Sequence, residues 1–326
     1  MSIPSVREGR DLNAVRTALQ QGARAHACAL FAGAAPRIGF FRQAAFPKRL
    51  RAIIYAGAML LLIAGVIIAF RALPENVSLE HPVYGWLVFA AIAPAIIVMN
   101  TLETQLSAYI LGVRFGWISA LRISVLSSAA NVLPLPGGPV LRAAALKTLG
   151  VKFTSSGALI SAMTTLWLGL VFIYAGGALT LHGNSIAFGV LFMSIGAISL
   201  AAAALWLRHL SCSTAQILLI GALKLTTSII GVIGLWWTFA LLGAFPGFIE
   251  VSVFSVSAIS GIVVSFVPAG LGVTEIASAA MATMVSISPA LAFLAAAAFR
   301  IIWLAFLLPL AAFFALTGAR HKGRIL

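Results

Sequence analysis

From Ala52 onward the chain is a succession of long apolar windows separated by short polar breaks. The windows fall near 52 to 70, 85 to 111, 156 to 181, 186 to 207, 215 to 243 and 290 to 317. Each has the length, roughly 20 residues at about 1.5 Å rise, that carries a helix across a hydrocarbon core. Between 153 and 207 there is no Lys, Arg, Asp or Glu at all, enough for two consecutive spans. The short alternating segments of a barrel are missing from the pattern, so helices are expected.

Two further apolar regions, 118 to 149 and 251 to 285, are interrupted in the middle, at Pro134 to Pro139 and at Pro268 to Gly272. In the first, "NVLPLPGGPVLR" (131 to 142) puts prolines that remove backbone donors beside glycines that permit turns. A helix from 118 is expected to end near Val132 and another to begin after Gly138. That second arm, Gly138 to Gly150, reaches only about 20 Å as a helix, too short to cross. Basic residues flank both ends of the region, with Arg114 before it and Lys147 and Lys152 after it. The positive-inside rule therefore predicts a hairpin that enters and returns on the cytoplasmic side. The second broken region has no basic flanks, Ala244 to Glu250 and Ser286 to Pro289, and is expected to enter and return from the other side.

Adding 134 to a residue number carries Pro134 onto Pro268 and Gly138 onto Gly272, and carries the first three spans onto the last three. The expected fold is an all-α polytopic membrane protein of six full spans plus two opposed re-entrant hairpins in an inverted repeat. The parts are a basic cytoplasmic tail at 1–50, a first repeat at 51–184, a second at 185–318 and a cytoplasmic C-terminal tail at 319–326. Identities at the offset are few, so the order of elements and the alternation of charge carry this reading.

Composition agrees: 62% of 326 residues are hydrophobic, 9% are charged, and mean hydropathy is +1.09. A solvated surface cannot be built from such a chain. The net charge of +14 does not imply nucleic acid, because nine of the 21 basic residues precede residue 52 and mark a cytoplasmic, lipid-facing tail. Residues 12 to 19 are a candidate interfacial helix. No signal-peptide core precedes Ala52. Cys28 and Cys212 are too far apart for a ligand-spaced motif, so neither a disulfide nor a metal site is expected, and no cofactor.

Charges inside spans cost about 2.5 to 3.5 kcal/mol each on insertion scales, so they point to function. The candidates are Arg142, one turn into the second half-helix on the face of Gly138, Lys224, Arg300, Glu103 with Asn100 on the same helix face, and Glu275 in "SFVPAGLGVTE" (265 to 275). With Asn131, Pro134, Gly138, Pro268, Gly270 and Gly272 they are expected to form a polar cavity where the hairpins meet. Free amides at the start of the second half-helix suit an anion. Arg142 and Arg300 would neutralise a phosphate, and Glu103 and Asn100 would serve gating or charge balance. Plainer readings exist: Lys224 snorkels, Glu103 pairs with Arg114 or Arg122, Arg142 is a flank residue, and Glu275 is a local helix cap. "GALKLTTSIIGVIG" (221 to 234) has small residues at spacings that suit helix packing.

"VPAGLGVTE" ending at Glu275, then "AAAAFRIIW" around Arg300, resembles the flippase-like transmembrane region of lysylphosphatidylglycerol synthases and their stand-alone relatives. Asn131, Pro134, Gly138 and Arg142 resemble that family's other motif. The likeness covers most of 50 to 318. Members usually have an acidic residue where this chain has Pro139, and an arginine-containing acidic pair where it has "TTLWLGL" (164 to 170). The resemblance implies movement of a lipid or lipid-linked group between leaflets. The helix amides and basic residues point to an anionic headgroup, the excess of Arg over Lys and the high Ala content suit a bacterial inner membrane, and the positive-inside rule puts both termini in the cytoplasm. The resemblance also implies a possible cytosolic lipid-modifying partner. Aminoacyl transfer is not expected of this chain, which runs only nine residues past its last span. The alternatives are a membrane-embedded transferase, weakened because Asp11 is the only aspartate, and a non-transporting subunit of a lipid pathway.

Overall fold

The computed structural model describes residues 63–69, 71, 81–131, 137–182, 186–263 and 272–320, with side chains described except at 262, 263 and 318–320. The described residues contain helices and no strand. Five of the helices are long and apolar enough to cross a membrane: α1 (Pro82–Ile110), α4 (Phe153–His182), α5 (Ile186–His209), α6 (Thr214–Leu241) and α10 (Pro289–Arg320). Each coincides with an apolar window of the sequence. The first expected span, 52 to 70, lies largely outside the described residues, although 63 to 69 are helical. The protein is thus an all-helical, multi-pass membrane protein in outline.

The two interrupted windows form short helices. The first yields α2 (Trp117–Ala130) and α3 (Gly137–Lys147). The second yields α7 (Phe248–Val253), α8 (Ser255–Val263) and α9 (Val273–Ala282). Pro134, Pro268 and Gly270 fall outside the described residues. Ala108, Leu146 and Ile160 pack with Val113, Phe115 and Val151, so α3 brings the chain back to the end at which α2 started. Val251, Phe254, Ala282 and Val285 share another cluster with Leu291.

Local chemistry accounts for irregularities that apolar windows do not reveal. Residues 88 to 92 of α1 form a π-helical turn just before Pro94, which cannot donate the amide hydrogen bond of a regular helix. The second interrupted region breaks additionally at Phe254. There Ser252, Ser255 and Ser257 turn their hydroxyls back onto the carbonyls of Ile249, Ser252 and Phe254, in competition with the helix ladder. Gly272, at φ 79°, opens α9 from the left-handed region that only glycine occupies freely.

The most intimate packing joins α4 to α5, and it differs from what was expected at 221 to 234. In that stretch only Gly234 is closely approached, by Phe299 and Ile92, while a Cβ at Gly231 would meet nothing within 4 Å. On α4 and α5, Gly169 and Gly176 face Gly189 and Gly196, each pair seven residues apart. A Cβ at Gly176 would lie 2.7 Å from the Gly189 carbonyl oxygen, and one at Gly189 would lie 2.8 Å from the Gly176 carbonyl oxygen. Without a hydrophobic force between helices in lipid, backbone approach of this kind supplies the attraction. Gly176→Leu is expected to push α5 away and lower the thermal unfolding temperature in detergent, at a cost of about 1 to 3 kcal/mol. Gly177→Leu, whose Cβ would meet nothing within 4 Å, serves as the control and is expected to be neutral. Away from this seam α5 exposes Phe188, Val190, Leu191, Ile198 and Leu205, the apolar face that lipid would solvate. Cys212, just past α5, is a buried free thiol whose burial pushes its pKa up.

Candidate functional site

A cavity of about 590 Å³ lies where the two broken regions approach each other. Asn131, Gly138, Pro139 and Arg142 line it from the first region, and Ser255, Ser257, Thr274 and Ser278 from the second. Between them α1 contributes Asn100 and Glu103, α4 contributes Thr164, Trp167 and Tyr174, α6 contributes Lys224, Thr227 and Ser228, and α10 contributes Arg300 and Trp303.

The cavity is built on a polar stripe of α1. Asn100, Glu103, Thr104 and Ser107 recur at helical spacing and turn one face of an otherwise apolar helix toward α2. Thr104 and Ser107 return their hydroxyl protons to the carbonyls of Asn100 and Glu103. Ser124 of α2 donates to the Asn100 carbonyl at 3.0 Å and lies 2.9 Å from the Thr104 hydroxyl. With its neighbours thus satisfied, the Glu103 carboxylate is left to face the cations. Its Oε1 accepts from Arg142 Nη1 at 3.0 Å and lies 2.8 Å from Lys224 Nζ. Arg142 Nε donates to Ser127 Oγ at 3.2 Å.

This geometry displaces several plainer readings. Lys224 turns inward to Glu103 instead of reaching for an end of its helix. Glu103 pairs with Arg142 and Lys224, whereas Arg114 or Arg122 was the simple alternative. Arg142, which could have been a flank residue, is held in the cavity wall. Asn131 plays a part that spacing does not announce: its Oδ1 accepts from the Gly138 amide at 2.8 Å. One of the amides expected to be free for an anion is therefore capped by the chain itself, which corrects the picture of an open helix start. A Cβ at Gly138 would stand 2.4 Å from that same oxygen, so the cap requires glycine.

A second ion pair stands deeper. Glu275, in the first turn of α9 and fully buried, places Oε1 3.1 Å from Arg300 Nε. The nitrogen's hydrogen does not point at the oxygen, so the contact is an ion pair without a hydrogen bond, and Arg300 Nη1 is buried with no partner. Gly272 precedes Glu275 as the helix cap residue, but no side chain caps α9, so Glu275 is no local cap. Arg300 faces the cavity while Glu275 sits behind it.

The site thus gathers three cations, Arg142, Lys224 and Arg300, and two carboxylates, Glu103 and Glu275, an excess of one positive charge. Hydroxyls line much of the remaining wall, and Trp167 Nε1 donates to Ser228 Oγ at 2.9 Å. Sequence reading missed Ser127, Ser128, Thr164, Trp167, Tyr174, Thr227, Ser228, Ser257 and Ser278. For Ser127 and Ser128 a signal existed, the serine-rich "SVLSSAA" facing a polar stripe. The others look like ordinary small or aromatic residues of apolar helices. Among the described residues no group of three His, Cys, Asp or Glu is placed to hold a metal ion. No family model, curated protein or solved structure matches the chain.

Proposed function

We propose that this protein moves an anionic phospholipid, or a lipid-linked anionic group, from one leaflet of a membrane to the other, holding the headgroup in the cavity between two re-entrant hairpins. The observation that carries the proposal is the cavity itself: Arg142, Lys224, Arg300 and Glu103 line it, with Glu275 behind Arg300 and one excess positive charge in all, set among helices whose outer faces are apolar. Groups so costly to place in hydrocarbon are kept where they meet a charged substrate. A volume of about 590 Å³ is in the range of pockets that take drug-sized molecules, which a lipid headgroup is.

The inverted repeat accounts for the architecture. Adding 134 to Pro82–Ile110 gives 216 to 244, beside Thr214–Leu241, and adding it to Gly137–Lys147 gives 271 to 281, beside Val273–Ala282. Arg114, Lys147, Lys152 and Arg208 gather at one end of the bundle, opposite Glu250, and mark the cytoplasmic face by the positive-inside rule. Two half-related units around one central site are the usual basis of alternating access. The resemblance of "VPAGLGVTE" and "AAAAFRIIW" to the flippase-like region of lysylphosphatidylglycerol synthases supports the same reading, and the excess of Arg over Lys with high Ala content suits a bacterial inner membrane. Arg142, Lys224 and Arg300 receive the phosphate, and Glu103 and Glu275 hold those cations between substrates.

The test uses purified protein in liposomes with fluorescent phosphatidylglycerol, phosphatidylethanolamine and polyprenyl phosphate in separate arms. Wild type is expected to accelerate flipping of at least one anionic lipid. The Glu275→Gln, Arg300→Met double variant, which removes both charges together, is expected to reduce the rate at least tenfold with the protein still folded. Absence of acceleration for every lipid would overturn the proposal.

A further inference from the structure

Beside the charged cavity runs a second hollow of about 330 Å³, between α4, α6 and α7, walled almost wholly by carbon. Gly177, Leu181, Leu225, Ile229 and Ile249 line it, and Leu181, Leu225, Ile229 and Ile249 expose their side chains on the surface of the bundle. Tyr174 and Val232 line both hollows, so they stand at the neck between a polar chamber and an apolar one. The Tyr174 hydroxyl is buried at that neck, facing the hydroxyls of Ser228 and Ser255. Hydroxyls gathered where a polar hollow meets an apolar one can donate to, or accept from, the ester and glycerol oxygens of a lipid.

A charged, hydroxyl-lined chamber joined through a polar neck to a greasy slot that opens on the membrane side has the polarity sequence of a glycerolipid: headgroup, ester, acyl chain. We propose that the slot between α4, α6 and α7 holds one acyl chain of the lipid whose headgroup occupies the cavity, and that Tyr174 donates its hydroxyl proton to the ester or glycerol oxygens at the junction. This rests on the lipid-translocation reading and adds to it where the lipid lies and by which side it enters. Lateral entry is between α4 and α6, near the end of the bundle that carries His182 and Glu250, which lie 3.8 Å apart. The continuity of the slot with the cavity through shared residues selects the substrate's own chain as occupant over an unrelated lipid.

Two readouts test it. The first is photocrosslinking of the reconstituted full chain with phosphatidylglycerol bearing a diazirine in one acyl chain, mapped by mass spectrometry. Crosslinks are expected to concentrate on Leu225, Ile229 and Ile249, to fall with Ile229→Trp, which fills the slot, and to fall with the Glu275→Gln, Arg300→Met double variant, which removes a headgroup contact without stranding a buried charge. Labelling spread evenly over the apolar face of α5, or confined to residues 1 to 62 lying across the slot, would overturn the proposal. The second readout is flipping. Ile229→Trp is expected to slow diacyl lipid at least tenfold, and Tyr174→Phe roughly threefold to tenfold, both with wild-type thermal stability. Unchanged flipping in Ile229→Trp would overturn the slot while leaving translocation standing. If wild type flips nothing, translocation fails, and the crosslinking map still decides whether the slot holds a chain.

Discussion

Glu275→Ala is expected to be among the most destabilising single substitutions in the protein, because it strands Arg300 in the interior. Glu275 is fully buried and 3.1 Å from Arg300 Nε, whose Nη1 already lacks a partner. Removing one member of a buried pair typically costs about 3 to 5 kcal/mol, since the remaining charge keeps its desolvation penalty and loses its counterion. Replacing both members by neutral groups often costs nothing. Glu275→Gln combined with Arg300→Met is therefore expected to restore the unfolding temperature close to wild type in detergent, while lipid flipping stays lost. This double variant separates the pair's structural role from its transport role. Equal instability of single and double variants would show that the pair acts through packing alone, and restored flipping would remove Arg300 from the substrate site.

Glu103→Gln is expected to have the largest effect on substrate affinity, and in the direction of tighter binding. Glu103 Oε1 lies 3.0 Å from Arg142 Nη1 and 2.8 Å from Lys224 Nζ, so in the resting protein the carboxylate occupies the place that a phosphate oxygen would take. An entering anion has to compete with it. A neutral amide at this position leaves both cations free for the substrate, and the isosteric side chain keeps the packing. Unit charges about 4 Å apart interact by about 4 kcal/mol even at an effective dielectric of 20, and a third of that is tenfold in affinity. Short-chain phosphatidylglycerol is expected to bind Glu103→Gln at least tenfold more tightly in a fluorescence titration, and to be released more slowly, so that flipping slows. Lys224→Met in the same background is expected to return affinity toward wild type. Weaker binding by Glu103→Gln would mean that the carboxylate orients the cations for substrate instead of competing with it.

The long helices were legible because hydrocarbon length and charge exclusion leave a coarse signal. The windows at 156 to 181 and 186 to 207 meet α4 and α5 within a few residues at each end. Interruptions between Ala130 and Gly137 and before Val273 were legible through backbone chemistry, proline lacking a donor and glycine tolerating unusual angles, although α3 takes in Gly138 and Pro139. The extra break at Phe254 was not, because it depends on which of several serines turn back onto the backbone. Gly169, Gly176, Gly189 and Gly196 read as unremarkable small residues until two helices come together around them. For the site, rare charges in apolar surroundings were visible one by one, but their partners were not. Glu103 had Arg114 and Arg122 nearby in sequence, yet it joins Arg142 and Lys224, 39 and 121 positions farther along.

By itself the sequence determined what a one-dimensional string can carry against a uniform solvent: helical spans set by length and polarity, interruptions set by residues with special backbones, and the short list of charges too expensive to be idle. Tertiary structure alone decided which of those charges meet, that Asn131 satisfies the Gly138 amide, and that Tyr174 stands between a polar chamber and an apolar slot. The reason is physical. Burial in hydrocarbon acts on each segment separately, whereas ion pairing, capping and cavity shape are set by distances of a few ångströms between segments that the chain order leaves far apart.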